Sequence, residues 1–324
     1  MKTALIGCGV IGRVHLRVCL HLNKNVVAVC DIDAEKAKSV SSDYYQNVQV
    51  YTDYKKMLDE VQPDVVHICT PHYLHAEMII YALEKGINVM CEKPLCISKE
   101  EVQKIIEAEE RSKAQLGVSL QNRYNVASRY AKQYLEEHKP TSGFANVVWC
   151  RGKDYYDSAE WRGKWDTEGG GVMINQALHT LDLMQWFLGM PEYCTAVTDN
   201  LSLKNVIEVE DSAMARFDGE RGFTFFATNS GHENYNVEMN IMVEGKTMKV
   251  TPDSVFINGE KVAEEQIKEV LGKKCYGGGH VRLIEEFYDC VENGKKFAVD
   301  GKETAKVMDL IFAMYQSHGK KIKV

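Results

Sequence analysis

The chain has 324 residues, 45% hydrophobic and 26% charged, which suits a globular protein of about two domains at roughly 150 residues each. With 39 basic against 46 acidic residues the net charge is −7 and no long block of one sign occurs, which speaks against nucleic acid or a polybasic membrane patch. No apolar window of about 18 residues could span a bilayer, and the opening Met1–Gly7 is too short an apolar run for a signal peptide, so a cytoplasmic location is expected.

Thr3–Ile6 reads as a short buried strand running into Gly7-Cys8-Gly9-Val10-Ile11-Gly12, a G-x-G-x-x-G turn, after which Val14, Val18 and Leu22 recur at helical spacing. Strand, glycine turn and helix in that order form a dinucleotide-binding fingerprint. Gly7 permits the tight turn, Gly9 lets a pyrophosphate approach the backbone, and Gly12 lets the helix lie close to the strand. The helix amino terminus adds unpaired N–H groups and the positive end of a dipole. The next strand, Val26–Cys30, ends at Asp31, 19 residues after Gly12, where a carboxylate accepts ribose hydroxyls and repels a 2′-phosphate. NAD is therefore expected ahead of NADP. The competing use of an aspartate here is as a helix cap, which suits Asp33 before a helix from Ala34.

Val48–Tyr51, Val65–Cys69, Val89–Cys91 and Gln115–Ser119 continue the strands, with helices at Tyr73–Lys85 and Ser98–Ser112 among those between. The alternation predicts an α/β domain over residues 1–120, a doubly wound parallel sheet. Such sheets bind ligands at the carboxyl ends of their strands, and two turns fall there. Thr70-Pro71-His72-Tyr73-Leu74-His75 offers Thr70 and Pro71 to a cofactor, while His72 and His75 read first as helix-start residues. Glu92-Lys93-Pro94 places an ammonium at a strand end, and Pro94 keeps Lys93 out of the next helical turn. Taken alone, that tripeptide reads better as a surface Glu–Lys pair before a loop; its company with the other motifs changes that.

From Gln121 the pattern changes. Gln121-Asn122-Arg123-Tyr124 leads into an amphipathic helix near Ser128–Glu137, and strand-like alternation recurs at Phe144–Cys150, Ala213–Phe217, Gly222–Thr228 and Val237–Val243. This predicts a C-terminal α+β domain over residues 121–324 with a large, mostly antiparallel open sheet. Its outer face carries Phe223, Phe225 or their neighbours and would serve oligomerisation. Within Asp166–Met184, Asn175, His179 and Asp182 fall at i, i+4 and i+7 of a helix, opposite Met173, Ala177, Leu181, Met184 and Leu188. That polar stripe reads as the wall of a cleft; the alternative is a core histidine satisfied by Asp182. No further ligands stand at metal spacing, and Gly169–Gly171 lacks the Lys-Ser/Thr of a phosphate loop and more plausibly lets the helix start pack tightly. The ten cysteines form no CxxC pair and sit mostly in apolar runs, as reduced buried thiols do, so no metal is expected.

Together the GCGVIG turn, the TPHYLH turn, the CEKP tetrapeptide, the GGGVMINQALHTLD helix and the tail from Tyr276-Gly277-Gly278-Gly279-His280 to Met314–Ser317 resemble the glucose–fructose oxidoreductase / inositol dehydrogenase / MocA family over essentially the whole chain. The resemblance implies a nicotinamide Rossmann domain and a C-terminal domain whose open sheet makes dimers or tetramers, with the C-terminal helix packing back near the domain interface. It implies a catalytic set of Lys93, His179 and Asn175. The implied cofactor contacts are Gly7, Gly9, Val10, Ile11, Gly12, Asp31, Ile32, Thr70, Pro71, His75, Glu92, Lys93 and Gln121. Arg123, Tyr156, Trp161, Arg162, Asn175, His179 and His280 become candidate substrate contacts. Many members have Asp where this chain has Asn175; members acting on sugar rings or nucleotide sugars often carry Asn-Gln there. The expected activity is hydride transfer between NAD and a ring hydroxyl or ketone carbon of a sugar, sugar derivative or inositol-like polyol. Two alternatives stand beside it: an NAD-retaining, glycosidase-like enzyme working by transient ring oxidation and elimination, and a non-catalytic NAD-binding sensor.

Overall fold

The computed structural model describes residues 1–45, 47–265 and 278–324, with backbone only at 41 and 42. Cys275, Tyr276 and Gly277 therefore lie outside the described residues. The first half alternates β1 (Lys2–Ile6), α1 (Val10–His21), β2 (Asn25–Cys30), α2 (Ala34–Tyr44), β3 (Gln49–Tyr51), α3 (Tyr54–Val61), β4 (Val65–Ile68), α4 (His75–Glu84), β5 (Asn88–Cys91), α5 (Lys99–Arg111) and β6 (Leu116–Val118). All five pairings are parallel and the order is β3-β2-β1-β4-β5-β6. The strand order reverses between β1 and β4, which opens a crevice at their carboxyl ends. Local chemistry sets the helix starts: Asp33 Oδ1 accepts from Glu35 N and Lys36 N, and Ser98 with Glu101 forms a capping box on α5.

The second half holds α6 (Val126–Glu137), β7 (Pro140–Val148), α7 (Lys153–Asp157), α8 (Trp165–Glu168) and a π-helical turn (Met173–Ala177) that runs into α9 (Leu178–Leu188). Strands β8 (Tyr193–Asp199), β9 (Ser212–Asp218), β10 (Gly222–Thr228), β11 (Glu238–Val243), β12 (Lys246–Val250), β13 (Ser254–Ile257) and β14 (Glu260–Glu264) follow. The chain then returns through α10 (Gly279–Asn293) and α11 (Gly301–Ser317) to β15 (Ile322–Lys323). The nine-stranded sheet runs β14-β13-β12-β11-β7-β10-β9-β8-β15, antiparallel except where β7 meets β10. Its inner face, with Phe223, Phe225, Met239 and Ile241 buried, packs against α9. Phe223 and Phe225 thus point inward; their neighbour Phe226 stands on the outer face with Phe144, Val197 and Met214, all exposed. No helix among the described residues is long and apolar enough to cross a membrane. Of the nine described cysteines, all unpaired, eight are buried and Cys150 is exposed.

The returning segment knits the two sheets together. From α10, Tyr288 Oη lies 2.8 Å from Thr3 Oγ1 of β1 and 3.0 Å from His67 Nε2 of β4. Val118 N donates to Val299 O at 3.0 Å, and α11 packs on α5, α9 and β8.

Candidate active site

The glycine turn has the shape its spacing predicts. Gly7 adopts φ +93°, and a Cβ there would lie 2.4 Å from Cys69 O; a Cβ on Gly12 would lie 2.0 Å from Gly7 O. A Cβ on Gly9 would meet nothing within 4 Å, so this backbone faces open space, a cradle that a side chain would fill. Beside it, Val10 and Ile32 are 67% and 94% exposed, two aliphatic side chains presented where a nucleotide would cover them. Asp31 sits against the turn: its Oδ2 accepts from Cys8 N at 2.8 Å and its Oδ1 from Asp33 N at 2.9 Å. Ile11 is partly buried against the core, and Thr70 and Pro71 are half-buried at the end of β4. This donor set and open cradle fit a dinucleotide.

Several expected contacts are placed elsewhere. His75 is fully buried, its ring nitrogens 2.7 Å from Pro94 O and 3.0 Å from Thr70 O, so it ties the two turns together instead of facing the crevice. Glu92 is enclosed as well. Its Oε1 lies 2.8 Å from His15 Nε2 and 3.5 Å from His280 Nε2, and its Oε2 accepts from Lys93 N. Burial opposes the charge on Glu92, but the hydrogen bonds and charges of His15 and His280 hold its carboxyl well below the usual range. His280, expected among the substrate contacts, is fully buried against Glu92. Arg123 is corrected in the same way: its guanidinium grips Asp182 through Nε (2.8 Å) and Nη2 (2.6 Å) and reaches Glu303 at 2.9 Å. That pairing also ends the polar stripe, because Asp182 turns into the interior and leaves His179 to other partners. Tyr156 packs on Ile207 and Val209, its hydroxyl accepting from Asn229 Nδ2 at 2.9 Å.

What the fold does bring together is Lys93, Asn175 and His179. Lys93 Nζ donates to Asn175 O at 2.8 Å and to Asn175 Oδ1 at 3.1 Å, docking the lysine from the end of β5 onto the π-helical turn just ahead of His179. The peptide bond from Lys93 to Pro94 is cis. Gln121 Nε2 lies 3.1 Å from His179 Nε2, while Gln121 Oε1 and His179 Nδ1 are buried polar atoms with no hydrogen-bond partner among the described residues. Burial first, and then the Lys93 charge, push the His179 pKa down to about 3, so the imidazole is neutral at physiological pH. Burial likewise lowers Lys93 from the usual lysine range, opposed by the negative charges of Glu92 and Glu168. Wide turns of this kind recur at functional sites; here one sets the spacing between Asn175 and His179.

Beside this cluster lie residues that the sequence reading did not single out. Glu168, at the end of α8, takes a hydrogen bond from Asn175 Nδ2 and is fully buried. Tyr155, not Tyr156, points here: its hydroxyl accepts from Gln176 Nε2 (3.0 Å) and Asn175 Nδ2 (3.3 Å) and meets Arg162 Nη1. The Arg162 guanidinium lies over the Tyr155 and Trp161 rings at 4.3 and 4.7 Å, and Trp161 packs on His72, whose Nδ1 donates to Glu168 O. Behind Glu92, His15 Nδ1 and His67 Nδ1 are 2.7 Å apart, completing a buried chain from Glu92 through His15 and His67 to Tyr288 and Thr3. A signal for it existed, since a histidine inside the wholly buried strand Val65–Ile68 must find a partner.

Residues 1–120 match the model of an oxidoreductase family with an NAD-binding Rossmann fold, and residues 144–324 match that family's C-terminal alpha/beta domain. The chain is 25% identical to the D-glucoside 3-dehydrogenase of Escherichia coli K12, covering 98% of this chain and 95% of that protein. It is 27% identical to an inositol 2-dehydrogenase of Salmonella typhimurium over 58% of this chain and 54% of the relative. The crystal structure of the WlbA dehydrogenase of Chromobacterium violaceum, in complex with NADH and UDP-GlcNAcA, superposes with a TM-score of 0.89 at 27% identity, covering 100% of this chain and 96% of the other. The chain belongs to the glucose–fructose oxidoreductase / inositol dehydrogenase / MocA family of oxidoreductases and is an NAD-dependent oxidoreductase.

Proposed function

We propose that this oxidoreductase transfers hydride between NAD and a ring hydroxyl or ketone carbon of a sugar, sugar derivative or inositol-like polyol. The observation that carries the reading is the docking of Lys93 on Asn175 beside a neutral His179, at the crevice formed by β1, β4 and β5. Relatives named for a glucoside, an inositol and a nucleotide-sugar complex support a cyclic polyhydroxyl substrate. Bound NAD supplies the hydride acceptor. His179, uncharged, takes the hydroxyl proton. Lys93 holds the oxygen through an N–H of its ammonium and stabilises alkoxide character as it develops. Tyr155, with Gln176, Asn175 and Arg162 all turned toward its oxygen, directs its own hydrogen to a substrate oxygen. We assign self-association, in a dimer or tetramer, to the apolar outer face of the nine-stranded sheet around Met214 and Phe226; light scattering that finds a monomer would count against it.

The test is Lys93→Ala, assayed by NADH absorbance on a panel of inositols, hexoses, glycosides and nucleotide sugars. Turnover should fall by roughly a hundredfold or more while NADH affinity holds. Wild-type turnover in that variant would end the reading. Product formation without net NADH would favour transient ring oxidation over simple dehydrogenation.

A further inference from the structure

Lys93 leans on an amide, and an amide has two ends of similar outline and opposite chemistry. Two neighbours decide which end faces which way. Glu168 accepts only: its Oε2 takes the Gly163 N–H and its Oε1 takes Asn175 Nδ2. Lys93 donates only, to Asn175 Oδ1. One orientation of Asn175 satisfies both; the reverse sets donor against donor at Lys93 and acceptor against acceptor at Glu168.

The chain goes to some length to put Glu168 there. Gly169 and Gly170 adopt φ +83° and +149°, conformations that side chains resist, and Cβ atoms on them would strike Ile97 and Tyr315. Those turns fold α8 back so that Glu168 lies under Asn175, seven residues on. Gly163, at φ +74° with Ile207 against it, presents the N–H that fixes the far oxygen. A buried carboxylate is costly unless it is hydrogen-bonded and opposed by positive charge: burial raises the Glu168 carboxyl above the usual range, against the hydrogen bonds from Gly163 and Asn175 and then the charges of Arg162 and Lys93.

We infer that Glu168 is a positioning residue: through Asn175 it supplies the negative charge that an aspartate at 175 would give Lys93 directly, and it locks the amide with its oxygen toward the ammonium. This rests on the function proposed for Lys93. It follows that Asn175 and Glu168 form a matched pair. A carboxylate at 175 would meet the Glu168 carboxylate at hydrogen-bond distance, and two such groups must share a proton.

Kinetics against pH on Glu168→Gln, Asn175→Asp and the double variant, with Lys93→Ala as reference and NADH titration as the check on folding, tests the pair. The charged and titratable groups acting on or near Lys93 are Glu92, Glu168, Arg162, His72, His75, His179 and His280, and only Glu168 loses its charge in Glu168→Gln. That variant should lose kcat about tenfold, and the limb on which activity falls with rising pH should move down by about one unit, because a negative charge near Lys93 is gone. Asn175→Asp alone should be at least as impaired. The double variant should recover to within about threefold of wild type, since the amide introduced at 168 can donate to the new carboxylate at 175 while that carboxylate faces Lys93. Such recovery is not open to a residue that only props a loop. Wild-type kcat and pH limb in Glu168→Gln, or a double variant no better than the product of the singles, would overturn the inference. Should Glu168→Gln fail to bind NADH, the double variant decides alone. An active Lys93→Ala would instead sink the proposed function, so the two failures are distinct.

Discussion

Two clusters of glycine serve opposite ends in this molecule. In the turn after β1, Gly7 and Gly12 clear the backbone so that Gly9 is left facing open space. In the run before the π-helical turn no space is left open: Cβ atoms on Gly169, Gly170 and Gly171 would lie 2.5 Å from Ile97, 2.0 Å from the Tyr315 hydroxyl and 1.8 Å from Glu210 O. The first cluster withholds side chains and leaves backbone open to solvent; the second withholds them so that the protein can pack on itself. Glu210 completes the second by accepting from Gly171 N (2.8 Å) and Met173 N (3.0 Å), a carboxylate cap on the helix that carries Asn175 and His179.

The strongest way to break that comparison is to add one methyl group at each place. Gly171→Ala drives a Cβ into backbone that cannot step aside, and should remove more than about 4 kcal/mol, leaving little folded protein by circular dichroism and thermal melting. A melting curve like wild type would mean the second cluster is not packed as described.

Next in size is acidification, which probes the ground between the clusters. Burial holds His67, His72, His75, His179 and His280 below the usual imidazole range. Unfolded, each would take a proton below about pH 6.5, so the unfolded state binds more protons and stability is lost as pH falls. Each such imidazole costs up to about 1.4 kcal/mol per pH unit below 6.5. The thermal midpoint should therefore drop steeply between pH 6.5 and about 5; a flat midpoint would say that these rings are protonated in the fold.

Gly9→Ala asks the converse question. Gly9 has φ −70° and ψ −166°, an extended conformation any residue adopts, and its Cβ would be unobstructed, so the fold should be unharmed or slightly stabilised. NADH affinity should fall roughly tenfold to a hundredfold, about 1.4 to 2.8 kcal/mol, measured by fluorescence titration. Lost stability with intact affinity would exchange the roles assigned to the clusters.

The difference between the clusters was half visible before any coordinates. The turn at 7–12 announces itself because strand, glycines and helix are contiguous and Asp31 follows at a fixed interval. The run at 169–171 takes its meaning from Ile97, Tyr315 and Glu210, which no local pattern brings near. Arg123 was misplaced for the same reason, its partners being 59 and 180 residues away. Tyr155 and Tyr156 are neighbours on a short helix, and composition does not say which one faces inward. Strands β12 and β14 escaped because their charged, exposed positions blur the alternation, and β13, four residues long, is too short to show one. Their turns were nonetheless legible: Asn258-Gly259, with φ of 49° and 88°, is a hairpin dipeptide in plain sight.

The smallest effect is expected at Asp31, where the first cluster meets the question of which dinucleotide it admits. The carboxylate is fully engaged on its protein side, one oxygen on Cys8 N and the other on Asp33 N. Those bonds fix its direction, and on the proposed function its charge is what a ribose or a 2′-phosphate would encounter. Asp31→Asn keeps the shape and removes the charge, but an amide accepts at one end only, so one of the two N–H groups loses its partner at a cost of about 1 kcal/mol. Two readouts follow, and they separate. Stability and NAD affinity should both slip slightly from the unpaired N–H. The ratio of kcat/KM for NAD over NADP should fall by about tenfold, because repulsion of the phosphate disappears while nothing is gained for NAD. Were the ratio to stay constant while stability dropped, Asp31 would be a strut of the glycine turn and not its selector, and cofactor choice would have to be sought in the exposed stretch around Ile32.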